Sequence, residues 1–163
     1  PLAKAPRDAA IRDLAFRPDA AQAMAAEMRR FPLLSARDPH GLVDAVRDVA
    51  GAPLDYIERL LALAAGTLGL PWRVLRSSSL AIPPDIRGQE RILAIARAVG
   101  ARRYVNPPGG RELYRHESFA EAGVELRFLS DYEGGYASIL ARLLQEPADA
   151  VAAEIRANTR LLA

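Results

Sequence analysis

The sequence predicts an α/β fold of the three-layer, Rossmann-like kind: a small, mainly parallel sheet flanked by helices, with helical additions at the N- and C-terminal ends. Three observations predict it. The run Gly88 to Val99 has helical spacing and is stopped by Gly100; Arg103 to Asn106 reads as a short strand; Asn106-Pro107-Pro108-Gly109-Gly110 is a glycine-rich turn that leads into further helical turns from Arg111. Strand-like stretches also precede and follow this unit, at Pro71 to Arg76 and at Val124 to Leu129. Strands separated by helices of this length run parallel, because the crossover returns each strand to the same edge. All three strand ends are then expected to open on one side.

Each element has its own local reason. Residues Pro1 to Arg17 mix charge, proline and short apolar steps, with Ile11, Leu14 and Phe16 suited to a brief extended segment. From Asp19 to Arg30 alanine dominates between Pro18 and Pro32, with Met24, Met28 and Phe31 at helical spacing. Asp38-Pro39 supplies a cap and a first-turn proline for a second helix through Val49, facing Leu42, Val43, Val46 and Val49 inward. A third helix follows Pro53, with Leu54, Ile57, Leu61, Ala64 and Leu68 on one face, and ends at Gly69. After the first strand, Ser77-Ser78-Ser79 stands at its carboxyl end and Pro83-Pro84 forces a loop. Helical turns from Arg111 to Ala122 connect the second and third strands. The loop Ser130 to Tyr136 is polar; a helix from Ala137 to Gln145 is broken at Pro147, and a last helix runs from Ala148 to Leu161.

With 163 residues, half of them apolar, the chain suits one well-buried core, and a single α/β domain over residues 1–163 is expected. Twenty-two basic and twenty acidic side chains leave a formal charge of +2. The basic residues form only pairs, such as Arg29-Arg30 and Arg102-Arg103, flanked by apolar neighbours, which argues against a nucleic-acid partner. Zero cysteines exclude disulfides, thiolate catalysis and thiolate metal ligation. Two histidines, His40 and His116, are too few for a histidine-rich metal site, and no metal is expected. No apolar run reaches the roughly 20 residues that span a bilayer. A cytoplasmic protein is expected.

The candidate chemistry gathers at the expected sheet edge. Three loops converge there by topology: Ser77 to Ser79, Asn106 to Gly110 and Ser130 to Tyr136. Hydroxyls, an amide, glycine backbone, tyrosines and carboxylates suit a phosphate or a sugar hydroxyl. Asn106 and the amides of Gly109 and Gly110 are candidates to hold an anionic group, although both residue types are also ordinary turn formers. Ser77 and Ser78 add hydroxyls but lack a neighbouring base for nucleophilic work. Arg87 and Arg91 flank Glu90 at a helix start, where the dipole disfavours a cation, so either an anion or a surface ion pair holds them. Tyr104 suits the core, whereas Tyr114 and Tyr132 can present hydroxyls to a ligand. Asp131 and Glu133 are the carboxylates clustered on this edge; general acid or base work would need a shifted pKa.

At these residues the chain resembles the WbqC-like family of bacterial proteins. The resemblance is carried, in order, by Leu68-Gly69-Leu70, Ser77-Ser78 with Leu80, Ile92-Leu93, Gly100-Ala101, Tyr104, Gly109-Gly110 with Leu113-Tyr114, Phe119, Gly123-Val124 with Phe128, and the loop tyrosines Tyr132 and Tyr136. It covers residues 2–144. The family's opening segment, with a glutamine and a proline-tyrosine-type motif, has no counterpart here, which implies a domain truncated at its N-terminus. The family also commonly carries an aspartate after Ser138-Ile139-Leu140, where this chain has Ala141.

The resemblance implies a role in surface polysaccharide (lipopolysaccharide O-antigen) or related specialised-metabolite biosynthesis, as a transferase on an activated sugar or acyl group. The expected ligand is a nucleotide-linked or phosphorylated small molecule, contacted by Ser77, Ser78, Arg91, Asn106, Gly109, Gly110, Tyr114 and Tyr132. No cofactor is specified by the residues. The alternative is a non-catalytic binding or assembly module with a helical partner interface.

Overall fold

The computed structural model describes residues 1–35 and 37–162, and the chain divides into two compact units. The first comprises residues 1–72 and 136–153; the second comprises residues 73–135 and 154–163.

The first unit is helical. Its helices are α1 (Ala20–Met28), α2 (Leu42–Arg47), α3 (Pro53–Thr67), α4 (Ile139–Gln145) and the first half of α5 (Ala148–Ala157). The brief N-terminal extended segment pairs Leu2 with Phe16 in an antiparallel bridge, with a 3-10 turn at Ile11–Asp13 between them. Asp38 holds the entry to α2 by accepting hydrogen bonds from the amides of Val43 (2.6 Å) and His40 (3.3 Å). The helix itself starts later than the Asp38-Pro39 signal suggests, after Gly41 at φ +69°.

Helix α3 has the expected extent, and Gly69 (φ +65°) ends it in the left-handed conformation that only glycine adopts freely. Its inward face differs from expectation. Pro53, Tyr56 and Leu68 are buried, while Ile57 and Leu61 are 44% and 51% exposed. Tyr56 sets the rotation: its hydroxyl donates to the Val46 carbonyl at 2.7 Å and its ring meets Phe16 edge-on, so the tyrosine occupies the inner face.

The second unit holds a small mixed sheet with helices packed on it. Helix α6 (Gly88–Ala98) precedes β1 (Arg103–Asn106); α7 (His116–Glu121) joins β1 to β2 (Glu125–Leu129); β3 (Leu161–Leu162) closes the order β1-β2-β3. β1 and β2 are parallel, with Arg103 opposite Glu125 and Asn106 opposite Phe128, as a helical crossover requires. β3 runs antiparallel to β2, so the sheet is only partly parallel.

Two strand expectations are corrected. Residues 70–76 form no strand: Trp72, Val74 and Leu75 are 41%, 53% and 58% exposed, and strand propensity without a partner strand is not expressed. The carboxyl ends that open on one side are therefore two, not three. The last helix stops at Ala157 instead of Leu161, because Asn158 Nδ2 donates back to the Glu154 carbonyl (3.0 Å) and Thr159 Oγ1 to that of Ile155 (2.6 Å). The chain thus released pairs with β2.

The unit's core is Leu93 and Ala96 of α6, Phe119 of α7, Val124 just before β2, and Leu126 and Phe128 on β2. Phe119 is fully buried and Phe128 is 2% exposed. Both helices therefore cover the sheet face that carries the even-numbered residues of β2. The other face carries Arg103, Val105, Glu125 and Arg127, where Arg103 and Arg127 both ion-pair with Glu125 and hold its carboxyl below the usual range.

Candidate functional site

The carboxyl ends of β1 and β2 carry the candidate site, within the second unit. Asn106 is the last residue of β1, and Pro107, with its fixed φ, turns the chain into a 3-10 segment at Pro108–Leu113. Gly110 donates its amide to the Pro107 carbonyl at 3.1 Å and is buried directly beside Asn106. A Cβ on Gly110 would run into the Asn106 side-chain amide, which would have to shift to make room for it. Gly109 is exposed, with open space where a side chain would stand.

Tyr104, two residues before Asn106 on the same strand face, ties the turn to the core. Its hydroxyl lies 3.2 Å from Asn106 Oδ1 and 3.4 Å from the Tyr114 hydroxyl. A phenol has one proton, and Tyr104 is placed to donate it either to Asn106 Oδ1 or to the Tyr114 oxygen. The Tyr104 ring stacks on Phe119 with centroids 5.6 Å apart, and Tyr114 meets both rings edge-on at 5.5 and 5.7 Å. Burial of the hydroxyl, then its hydrogen bond to Tyr114 and the proximity of that second phenol, push the Tyr104 pKa well above the usual tyrosine range.

The loop after β2 is held from the far end of the chain. Tyr132 donates its hydroxyl to Glu154 Oε1 at 2.7 Å, and the Gly135 amide donates to the same oxygen at 2.9 Å. Gly134 lies so close that a Cβ there would collide with the Glu154 carboxylate and the Tyr132 hydroxyl. Ser130 donates its amide to the Arg160 carbonyl at 2.8 Å, just before β3. The sequence residues at this edge, Asn106, Gly109, Gly110 and Tyr132, therefore stand on two loops that leave adjacent parallel strands, with Tyr114 linked to Asn106 through Tyr104.

Other candidates are placed differently. Ser77 and Ser78 lie on an exposed 3-10 turn that follows no strand, and Ser79 Oγ donates to the Arg76 carbonyl at 2.8 Å. Arg87 donates to the carbonyls of Pro84 and Ile86 and so closes the loop before α6. Arg91 is half-buried on α6, and its side chain has no hydrogen-bond or ion-pair partner among the described residues. His116 is exposed and meets Phe128 edge-on.

Two functional-looking side chains have no local signal in the sequence. Glu154 is 22 residues from Tyr132 and reads as an ordinary helix-surface carboxylate; only Gly134-Gly135 hints that something approaches the loop closely. Gln89 accepts the Arg115 amide at 2.7 Å, joining the first turn of α6 to the start of α7 across 26 residues.

The WbqC-like protein family matches residues 42–139. The chain belongs to this family. No curated protein and no solved structure matches the chain. The WbqC-like match spans β1, β2, their connecting turn and the loop with Tyr132, but ends before Glu154 and β3. Among the described residues no group of three histidine, cysteine or acidic side chains is placed to hold a metal, and no helix is long and apolar enough to cross a membrane.

Proposed function

We propose that this WbqC-like protein binds a nucleotide-linked or phosphorylated small molecule at the carboxyl ends of β1 and β2. In this reading it is a cytoplasmic transferase acting on an activated sugar or acyl group, in surface polysaccharide (O-antigen) or related specialised-metabolite biosynthesis. The observation that carries the reading is the register of Asn106 opposite Phe128, from which two polar loops leave neighbouring parallel strands on the same side. Open parallel sheets take their ligands at such an edge. The segment β1–α7–β2 is then the Rossmann-like half of a three-layer arrangement.

Roles follow from the contacts. The exposed Gly109 amide and the Asn106 Nδ2 group receive the anionic part, while Asn106 Oδ1 is engaged by Tyr104. Gly110 lets Asn106 lie against the turn, Tyr114 and Tyr132 limit the ligand's orientation, and the partnerless guanidinium of Arg91 adds positive charge. Transfer chemistry of this kind rests on positioning and charge stabilisation.

A thermal-shift screen against sugar nucleotides, nucleoside phosphates and acyl carriers tests it, because a ligand that binds only the folded state raises apparent stability. A selective shift that Arg91→Gln and Asn106→Ala each reduce is expected. A flat response to the whole screen would sink the reading.

Ile57 and Leu61, side by side on α3 and about half exposed, favour the second reading of an assembly module. Leu61→Glu should then dissolve an oligomer seen by light scattering; a wild-type monomer removes this alternative.

A further inference from the structure

We propose that a small polar pocket beyond the carboxyl end of β2 is a hydroxyl-binding subsite that takes a vicinal diol of a neutral carbohydrate. This rests on the reading of that sheet edge as the ligand site and names its substrate class. The pocket has a volume of about 50 Å³ and is lined by Ser130, Asp131, Glu133, Asn158 and Arg160.

Its walls are set by contacts that leave the functional ends of these side chains available. The Ser130 amide donates to the Arg160 carbonyl at 2.8 Å, and Ser130 Oγ donates to the Asn158 carbonyl at 3.4 Å, keeping its lone pairs. Asn158 Nδ2 donates to the Glu154 carbonyl at 3.0 Å, which leaves Oδ1 as an acceptor. The side chains of Asp131, Glu133 and Arg160 have no partner among the described residues. A guanidinium supplies donors only and a carboxylate supplies acceptors only.

That donor set selects among ligands. Two carboxylates against one guanidinium give the pocket a negative balance, which disfavours a phosphate or carboxylate group. An ammonium group would be opposed by Arg160. A pair of neutral hydroxyls uses both kinds of wall at once, each donating to a carboxylate and accepting from the guanidinium or the serine. The volume suits this, because a water molecule needs only about 10–15 Å³ of such space; the pocket therefore admits two hydroxyls and their carbons, not a whole ring.

The subsite also lies at a useful distance from the Asn106 turn. Ser130 is two residues beyond the register partner of Asn106. With strands about 4.8 Å apart and a rise of about 3.3 Å per residue, the two positions are roughly 8 Å apart. That is the span of one hexose between a phosphate at its anomeric carbon and hydroxyls on the opposite edge.

Amide NMR of the full chain tests this with methyl α-D-glucopyranoside, methyl α-D-galactopyranoside and methyl α-D-mannopyranoside as neutral probes, and inorganic phosphate as the charged one. At least one glycoside should give saturable shifts at Ser130, Asp131 and Asn158 with a millimolar dissociation constant, weakened about tenfold, the effect of about 1.4 kcal/mol, by Asp131→Asn and by Arg160→Gln. Absence of a saturable response to all three glycosides overturns the proposal, as does a phosphate response at these amides that Arg160→Gln removes. Phosphate shifts at Gly109 and Gly110 report separately on the anion-binding reading: their absence alongside glycoside binding counts against that reading and not against the diol pocket.

Discussion

Substituting Gly110 by alanine separates a required close approach from a merely flexible turn. Gly110 does not have a positive φ, so alanine meets no backbone penalty there; the whole cost comes from its Cβ running into the Asn106 amide. Forcing a methyl group into such a space costs about 1–3 kcal/mol. Asn106→Ala alone removes one of the two acceptors of the Tyr104 hydroxyl, worth about 1 kcal/mol. In the double variant the obstacle is gone, so the two losses should fall short of their sum by about 1–2 kcal/mol, as neighbours in a double-mutant cycle do. Urea unfolding followed by tyrosine-region circular dichroism, which reports the Tyr104–Tyr114 pair, measures all four corners of the cycle. Gly109→Ala is the control, since its Cβ would meet open space and should change stability by less than about 0.5 kcal/mol. Additive losses, or a Gly110→Ala cost no larger than that of Gly109→Ala, would refute the reasoning.

Three further outcomes follow from other contacts. Glu154→Gln replaces a charged acceptor of the Tyr132 hydroxyl and the Gly135 amide, and hydrogen exchange at Gly135 should accelerate about tenfold or more; unchanged protection would mean that the loop is held otherwise. Burial alone would raise the Asp38 pKa, but hydrogen bonds from the amides of Val43, Leu42, His40 and Asp44 outweigh it and lower the value below 3.8. Its folded pKa being depressed, Asp38 contributes stability above the unfolded value that is lost as pH falls through the folded one, so Asp38→Asn should flatten the acid limb of a stability–pH curve below about pH 4. Burial raises the pKa of both Tyr104 and Tyr56, so stability measured by urea unfolding should fall as pH rises beyond about 10, and Tyr104→Phe should lessen that fall.

The parts of this fold legible in the sequence are those fixed by local chemistry. Gly69 and Gly100 end α3 and α6 because the chain needs a left-handed residue there, and the short strand Arg103–Asn106 has the boundaries that its neighbours Gly100 and Pro107 impose. The misplaced elements depend on partners far along the chain. Pro71 to Arg76 has strand composition but no neighbour, whereas Leu161-Leu162 has helix-compatible composition and becomes a strand because β2 is there to pair with it. The buried face of α3 departs from its aliphatic spacing because Tyr56 competes with Ile57 and Leu61 for the interior and prevails through its hydroxyl contact with Val46. At the candidate site, Asn106, Gly110 and Tyr132 could be picked out as loop residues because turns advertise themselves. Glu154 and Gln89 could not, since a carboxylate or amide on a helix gives no indication of the backbone amide it will meet.

The grip of Glu154 on the loop between Tyr132 and Gly135 sets a limit on trimming this protein. The family-matched stretch ends at residue 139, so a fragment cut to those limits would keep β1, β2 and every candidate loop residue yet lose the carboxylate that fixes the loop and the strand that covers the end of β2. Such a fragment would display the family's residues without their geometry. Grafting or minimising this candidate site therefore has to carry residues 154–162 along with it, and a mutational survey confined to the matched stretch would overlook the carboxylate that holds its loop.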